Sequence, residues 1–593
     1  VVFFGHLKGK SRTYWFGFCV TVPIVIGSIV VLVLGFLHIL RPQVIVLLFY
    51  GTFFAAMIKM ILQHSFTVSS LAFRIKEAWW EFRENRGEYM VLAALLLFGI
   101  LYFSYGGFQV HSYGFGDLYT HHAWIYGLKE GEIFSGGVYP EAMHCFVYCL
   151  HVLFGIRVFS CLLFLQGIHV AVFLLSGYLL MREIFHWRYT PLLALTLFLT
   201  LDVVSADLVY SIFRLQITLP LEFGLHTQFL CALYLVRYLK NDHKTVTKKK
   251  LLQYCRDENL FLFLMSLTAA MSIHFYIVLM AFVLCGSFAV FRYKRLFSKE
   301  YFVPLAISAL CACIISVLPM TGAIASGKPF NDSINWAVGA MSGEETRALE
   351  KKDSSERRRK PILVTSLELA EGIYTEGYAE LYGKTGACII LLITAGGSGL
   401  CWLSRKKTVR KKSLSWLRNI CAGYPPLLLF TCLFVLLYAA PRLGYLELIS
   451  DSRFCSTGHF MIMALVMIPV DVLFSIFSRF FKNVTMMKAV SLFSVVGIYG
   501  LTIATGHFHG YLFFELTRYN AAVETTNKII EEFPKKSYVV VAPTDELYPV
   551  IEYGWHEELL TFVSNIEEEE YTFAPEHAFF FVEKKPLQYA QAY

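Results

Sequence analysis

Asp117 and His121 lie four positions apart in the segment DLYTHHAWIYGL, which follows an apolar stretch. In a helix, this spacing places both side chains on one face. A carboxylate there could act as a general base, or share a phosphate or a divalent metal with His121. No third metal ligand accompanies them in the sequence, so no cofactor is established. Asp117 could instead only cap the helix by accepting hydrogen bonds from its first backbone N–H groups.

Two more segments place charged residues and histidines at the ends of apolar runs. FRLQITLPLEFGLHTQF contains Arg214, Glu222 and His226, and DSRFCSTGHFMI contains Arg453 and His459. Charged groups at such positions are costly unless they are paired or face a hydrated cavity. We expect these five residues to contact a substrate, and Arg453 is the first choice for a phosphate because a guanidinium can donate two parallel hydrogen bonds. An Arg214–Glu222 pair that only fixes helix packing is equally compatible with the sequence.

The composition shows which kind of protein must position these residues. Of 593 residues, 56% are hydrophobic and only 16% are charged, and the mean hydropathy is +0.55. Soluble domains contain about 25% charged residues, so a water-soluble globular protein is excluded and a polytopic α-helical membrane protein is predicted. The 14 cysteines are scattered singly, without a disulfide framework or a CxxC pattern. The first long apolar run is too long and too late for a cleavable signal peptide, so we expect a true span.

About 20 apolar residues are needed to cross a bilayer, and windows of this length predict thirteen spans. Their approximate ranges are 16–38, 43–62, 88–106, 157–181, 189–206, 219–236, 258–275, 276–291, 303–320, 386–404, 420–440, 457–478 and 487–505.

Lysine and arginine are concentrated in alternate connections between these spans. They occur at Lys8, Lys10 and Arg12 and in the segments 74–86, 240–250, 292–299 and 405–412. Short basic loops stay on the cytoplasmic side, which predicts that the segments 107–156, 207–218, 321–385, 441–456 and the tail from 506 are external. His274, in one short external turn, is expected to be an interfacial residue. The protein is therefore predicted to be a multi-pass protein of the plasma membrane.

The tail differs from the rest of the chain in charge and periodicity. It carries 15 acidic and 6 basic residues, although the whole chain has a net charge of +8. A helical NAAVETTNKIIEEF, a strand SYVVVAP, a helical DELYPVIEYGW and a strand AFFFVEKKP predict a small external α/β domain. We therefore divide the chain into an N-terminal hairpin with a cytoplasmic amphipathic segment (1–87), a membrane domain (88–505) with external loops 107–156 and 321–385, and the tail domain (506–593).

The external loop 321–385 is too long to be a simple connection. FNDSINWAVGAM and LVTSLELAEGIY are predicted to be amphipathic or re-entrant helices on either side of a polar linker. The linker contains the basic run KKDSSERRRK at 351–360. This run is expected to lie on anionic lipid headgroups, where each basic residue contributes about 1 kcal/mol.

The order of residues in the first external loop resembles a known enzyme family. Asp117 follows a span, a helix ends near Gly131, Tyr139 and Pro140 begin a second helix, and Phe154, Gly155 and Arg157 precede the next span. This pattern resembles the catalytic loop of the C-superfamily (GT-C) membrane glycosyltransferases, especially the bacterial branch related to protein O-mannosyltransferases. The match covers roughly residues 88–185. Glu141 replaces the family's second proline, and two additional spans precede the loop.

The resemblance implies sugar transfer from a polyprenyl-phosphate donor to an acceptor of the cell envelope, which could be a glycan, a lipid or a protein, at the outer face. It implies that Asp117 is the general base and that Tyr139 and His121 contact substrate. Positive charge for the leaving phosphate would come from external basic residues, namely Arg214, Lys328, Arg442 and Arg453. The partners expected are therefore the lipid-linked donor, the acceptor and the bilayer, and not nucleic acid.

Two other classes of function remain open at the level of sequence. A transporter or flippase would show repeated halves or interrupted spans near the midplane, and the sequence has no such internal repeat. Charged residues within the spans are concentrated at the predicted outer ends, with Asp471 as a deeper exception. A non-catalytic relative of the glycosyltransferases, kept as a subunit, is the other alternative.

Overall fold

The computed structural model describes residues 11–62, 82–110, 117–200, 214–241, 257–331, 362–405, 419–440, 451–480, 484–504, 521–542, 553–568 and 572–581, together with isolated positions between them. These residues are mainly helical. Eight of their helices are long and apolar enough to cross a membrane, and four shorter helices are also apolar. The predicted α-helical membrane fold is therefore confirmed.

The helices of ten or more residues are numbered in chain order. They are α1 (Arg12–Phe36), α2 (Pro42–Leu62), α3 (Arg86–Val110), α4 (Asp117–Lys129), α5 (Ala142–Phe154), α6 (Val158–Ile184), α7 (Thr190–Thr200), α8 (Pro220–Lys240), α9 (Glu258–Ile273), α10 (Phe275–Ala289), α11 (Lys299–Ala325), α12 (Ile362–Gly372), α13 (Glu380–Arg405), α14 (Tyr424–Ala439), α15 (Asp451–Val466), α16 (Ile468–Phe480), α17 (Val484–Ala504), α18 (Ala521–Glu532) and α19 (Leu559–Glu568).

Each of the thirteen predicted spans falls on one or more of these helices. The predicted span 457–478 is divided between α15 and α16, which meet at Met467. Pro469 explains the division, because proline lacks a backbone N–H and its ring clashes with the preceding turn of a helix. The amphipathic helix predicted in the second half of the loop 321–385 is present as α12, and a π-helical stretch, Ile373–Ala379, continues it into α13. Most of FNDSINWAVGAM and all of KKDSSERRRK lie outside the described residues.

The first loop predicted to be external forms the two predicted helices, α4 and α5, and glycines terminate both. Gly131 follows α4 with a φ of +86°, and Gly155 is the left-handed C-cap of α5 with a φ of +69°. Left-handed backbone carries little steric cost only for glycine, which is why glycine commonly ends helices. The two glycines of the sequence motif therefore mark the positions at which α4 and α5 end.

A short stretch between α4 and α5 joins the two long loops that are predicted to be external. The Val138 backbone N–H donates to the Pro329 carbonyl at 2.8 Å, and the Asn331 N–H donates to the Val138 carbonyl at 3.3 Å. Gly137 makes this approach possible, because its φ is +87° and a Cβ atom there would lie 3.0 Å from the Asn331 backbone. Segments that the charge pattern places on the same side are thus held together by backbone hydrogen bonds.

Asp471 accepts a set of hydrogen bonds at the end of the helix bundle that the charge pattern places on the cytoplasmic side. Its carboxylate accepts hydrogen bonds from the backbone N–H groups of His186 (3.0 Å) and Trp187 (2.8 Å) and from the hydroxyls of Thr190 (2.7 Å) and Tyr424 (2.5 Å). It therefore caps the turn before α7, in a loop that the charge pattern places on the cytoplasmic side. The position of Asp471 in the sequence suggests a charge isolated deep within a span. In the structure, four hydrogen-bond donors surround its carboxylate, so the charge is not isolated.

The tail contains a three-stranded parallel sheet in the order β2-β1-β3, formed by β1 (Tyr538–Ala542), β2 (Trp555–Glu558) and β3 (His577–Phe580). Val540 pairs with His556 on one side and with Phe579 on the other. The predicted helix at 521 and the strands of SYVVVAP and AFFFVEKKP are confirmed. The predicted helix in DELYPVIEYGW is wrong at its end, where Trp555 begins β2, and α19 follows instead. The earlier part of that segment lies largely outside the described residues.

The tail domain contacts the membrane domain through Arg157, which precedes α6. Its Nη2 donates to Asn527 Oδ1 at 3.1 Å, and its guanidinium lies over the Tyr553 ring, 5.1 Å from the centroid. The arginine that ends the sequence motif therefore joins the two domains.

Candidate functional site

A cavity of about 270 Å³ lies where the predicted external segments meet. Its lining residues come from α4, the stretch before α5, the one-turn helix Arg214–Gln216, the start of α8, the α9–α10 turn, the segment after α11 and the start of α15. They are Asp117, Thr120, His121, Trp124, Tyr139, Arg214, Leu219, Pro220, Leu221, His274, Asn331 and Arg453. Residues more than 300 positions apart in the sequence thus surround one space.

Asp117 and His121 both line the cavity from one face of α4, as the spacing predicts. Asp117 is the first residue of the helix and is exposed. His121 is buried, and its Nδ1 lies 2.9 Å from His144 Nε2 on α5. Burial lowers the pKa of His121 to about 3 and lowers that of His144 well below its usual value. His121 is therefore a neutral hydrogen-bonding group near neutral pH, and it cannot supply positive charge for a phosphate.

Aromatic rings form the wall beside the carboxylate. The Trp124 and Tyr139 ring centroids are 5.6 Å apart, and Trp124 meets the His121 ring edge-to-face at 4.9 Å. Burial raises the pKa of Tyr139, so its hydroxyl keeps its proton. Tyr139, predicted to contact substrate, thus presents a neutral aromatic surface to the cavity.

Arg214 brings a positive charge to the cavity. It begins the one-turn helix before α8, and its Nε donates to Glu222 Oε1 at 2.6 Å. The side chains of Arg214 and Glu222 are 12% and 1% exposed, respectively. Glu222 is not among the residues that line the cavity. We therefore assign Glu222 to holding Arg214, a role the sequence left open, rather than to direct substrate contact.

Arg453 supplies a second positive charge from the first turn of α15. Its guanidinium lies over the Tyr276 ring, 5.4 Å from the centroid, and it lines the cavity. Stacking on an aromatic face orients the planar guanidinium. The cavity thus combines one carboxylate with two guanidinium groups from separate segments.

His274 was expected only to be interfacial, and the structure corrects this interpretation. It lines the cavity and meets the Tyr139 ring edge-to-face at 5.8 Å. Its Nδ1 accepts a hydrogen bond from the Tyr276 backbone N–H at 3.1 Å, which caps α10. A neutral ring that accepts at Nδ1 carries its proton on Nε2. His274 can therefore donate a hydrogen bond from Nε2 within the cavity.

Several predicted residues do not reach the cavity. His226 lies one turn beyond Glu222, where its Nδ1 donates to the Phe223 carbonyl at 2.9 Å. The His459 ring packs against Phe198 in the core at 5.3 Å. Lys328 forms an ion pair with Glu132, with 2.5 Å between Nζ and Oε1. Arg442 lies outside the described residues.

The side chains around Asp117 do not fit a metal-binding site. His121 Nδ1 is engaged with His144, and within the described ranges no group of three or more His, Cys, Asp or Glu side chains is arranged to hold a metal. A stable site for a divalent cation usually needs more ligands than one carboxylate and one imidazole. The chemistry of the cavity is therefore derived from the side chains alone.

Glu141, which replaces a proline of the family pattern, has a structural role. It is 4% exposed, occupies the N-cap position of α5, and accepts a hydrogen bond from the Phe134 backbone N–H at 2.8 Å. Burial raises its pKa to about 8. The Glu141 side chain thus ties the turn after α4 to the start of α5.

Comparisons with known proteins give structural matches but no match by sequence. No protein-family model matches the sequence, and no curated protein matches it. Among solved structures, the chain is similar to the archaeal oligosaccharyltransferase AglB from Archaeoglobus fulgidus, in complex with an inhibitory peptide and a dolichol-phosphate, with a TM-score of 0.38 and 12% sequence identity. The match covers 80% of this chain and 64% of that chain.

Proposed function

We propose that this protein transfers a sugar from a polyprenyl-phosphate-linked donor to an acceptor at the outer face of the membrane. The observation that supports this most is the convergence of Asp117, Arg214 and Arg453 on one cavity. A transferase of this kind needs a base for the acceptor and positive charge for the phosphate, and these three residues provide both.

Asp117 acts on the acceptor. A hydroxyl is a poor nucleophile, so a carboxylate within hydrogen-bond reach takes its proton as the new glycosidic bond forms. Asp117 is exposed at the start of α4 and lines the cavity, so an acceptor can approach it from outside. The neutral His121 one turn away adds no positive charge that would compete with this role.

Arg214 and Arg453 act on the donor. As the bond between the sugar and the phosphate breaks, negative charge develops on the phosphate oxygens, and guanidinium groups stabilise it by charge-assisted hydrogen bonds. Glu222 holds the first guanidinium and the Tyr276 ring supports the second. The leaving lipid phosphate therefore needs no proton.

The acceptor is an envelope glycan, lipid or protein, and the aromatic wall of Trp124 and Tyr139 would pack against a sugar ring. The charge pattern supports a plasma-membrane location with the C-terminal domain outside. By the charge pattern, most segments that line the cavity and the Arg157–Asn527 contact belong to the same, predicted outer side. The donor, the acceptor and the tail domain would thus meet on the same side of the membrane.

The test is sugar transfer by purified protein reconstituted in liposomes with polyprenyl-phosphate sugars. Asp117→Asn keeps the size of the side chain and most of its capping ability but removes the base, so we expect turnover to fall about 100-fold to 10,000-fold. Loss of a helix cap would cost only about 1 kcal/mol of stability. Glu130→Gln, at an exposed position just after α4, is the matched control.

The variants also separate the alternatives. If Asp117→Asn folds normally and transfers sugar at close to the native rate, Asp117 is only a cap and the proposed mechanism is wrong. A transporter would move a labelled lipid-linked sugar across the liposome without forming product. A non-catalytic relative would show neither activity in any variant.

A further inference from the structure

A second cavity, outside the proposed reaction site, lies between the C-terminal domain and the start of α6. It has a volume of about 290 Å³. One wall belongs to the first two turns of α6 and the other to α18 of the tail domain. We call it the junction crevice.

The α6 wall of the junction crevice is apolar. Phe159, Leu163 and Phe164 line it, and the Phe164 ring packs against Phe108 of α3 at 4.7 Å. These residues begin a span whose first turns lie at the predicted outer membrane surface. A hydrocarbon chain at that depth would contact this wall.

The lining of the junction crevice also carries charges of both signs. Arg157 Nε is buried without a hydrogen-bond partner, whereas Nη2 is bonded to Asn527. A buried N–H group without a partner costs free energy that an anionic ligand would recover. On α18, Lys528 pairs with Glu524 at 2.9 Å, and Glu531 lies two turns beyond Glu524 along the same wall.

We propose that the junction crevice binds a phospholipid whose headgroup carries a phosphate and a primary ammonium group, as phosphatidylethanolamine does. The phosphate contacts Arg157, the ammonium contacts Glu531, and an acyl chain lies along Phe159 and Phe164. An anionic lipid without an amine would leave Glu531 without a positive charge from the ligand, whereas Glu524 already pairs with Lys528. A quaternary ammonium could not donate hydrogen bonds to Glu531. The lipid would join the tail domain to the membrane domain.

Native mass spectrometry of the full-length protein in detergent tests this assignment, with dioleoyl phosphatidylethanolamine and dioleoyl phosphatidylglycerol supplied at equal concentration. We expect the protein to retain the ethanolamine lipid about fivefold better, the scale of one favourable surface ion pair. Glu531→Gln should abolish this preference. Glu532→Gln, an exposed neighbour that does not line the crevice, should preserve it. Arg157→Gln should weaken retention of both lipids, because both contain the phosphate.

Equal retention of the two lipids by the native protein would overturn the proposal. So would an unchanged preference in Glu531→Gln. Soluble glycerophosphoethanolamine, which lacks the acyl chains, should not displace the lipid at the same concentration; displacement would refute the role of the apolar wall. None of these measurements depends on sugar transfer, so this proposal and the proposed function can fail separately.

Discussion

The ion pair between Arg214 and Glu222 allows a quantitative test of how the reaction cavity is built. Both side chains are largely buried, and 2.6 Å separates Nε from Oε1. Removing one partner from a buried pair typically costs about 3–5 kcal/mol, because the remaining charge is left uncompensated. Glutamine keeps much of the shape and a hydrogen bond, so we expect Arg214→Gln and Glu222→Gln each to lower the free energy of unfolding by about 2 kcal/mol.

The double variant leaves neither charge unpaired, so its destabilisation should be smaller than the sum of the two single effects. We expect a coupling free energy of about 1–3 kcal/mol, which is typical of residues in direct contact. The measurement is equilibrium unfolding of the four proteins in one detergent. Binding of a polyprenyl phosphate is measured in parallel, and Glu222→Gln should weaken it about tenfold, equivalent to about 1.4 kcal/mol, because Arg214 loses its orienting partner.

Glu183→Gln is the control, because Glu183 accepts from Arg237 Nε at 2.8 Å and also pairs with Lys240, away from the reaction cavity. This variant should lose stability without losing affinity for the lipid phosphate. Additivity of Arg214→Gln and Glu222→Gln within about 0.5 kcal/mol would refute the energetic coupling. An equal loss of lipid-phosphate affinity in Glu183→Gln would refute the specific role of Glu222.

Three further predictions concern donor binding, pH and orientation. Arg453→Lys should weaken donor binding about tenfold in a lipid-phosphate binding assay, because a point charge replaces a planar, two-pronged donor. Burial lowers the pKa of His121 to about 3, so the unfolded chain binds more protons below pH 6.5. Stability should therefore fall by up to about 1.4 kcal/mol per pH unit as the pH drops from about 6.5 towards 3, and His121→Asn should reduce this slope in acid-unfolding measurements. In a cysteine-free background, Ser537→Cys should react with an impermeant reagent in intact cells, and Ser415→Cys should not.

Each of these predictions has a result that contradicts it. Native donor affinity in Arg453→Ala would assign the phosphate to Arg214, Arg442 or Lys328 instead. An unchanged acid slope in His121→Asn would mean that other buried groups set the pH dependence. The reverse labelling pattern would invert the predicted orientation.

The membrane architecture was predictable because backbone groups in lipid must be satisfied within each helix, so the spans appear as apolar runs. The helix α4, which begins at Asp117, was predictable for a local reason, because a glycine, Gly131, follows its last turn. The division between α15 and α16 follows from Pro469, although hydropathy alone gives one continuous span. These features depend on residues close together in the sequence.

The composition of the cavity was harder to predict because it depends on how helices rotate and pack. Arg453 and His459 are six positions apart, which is about 240° around a helix, so when Arg453 lines the cavity His459 lies on another face. Lys328 looked available, but Glu132, 196 positions away, engages it. His274 seemed peripheral because a single histidine in a turn carries no periodic pattern, and only the packing of its turn beside Tyr139 reveals its place.

The hydrogen bonds to Asp471 have a consequence for the transporter alternative. They tie α16 to α14 and to the turn between α6 and α7, at the end of α6 about 40 Å from its start beside Arg157. Alternating access would require these helices to separate at that end and open an inward gate. Every such movement would break hydrogen bonds to a buried carboxylate. A transport cycle that separates these helices would therefore have to offset the free-energy cost of leaving Asp471 without its donors.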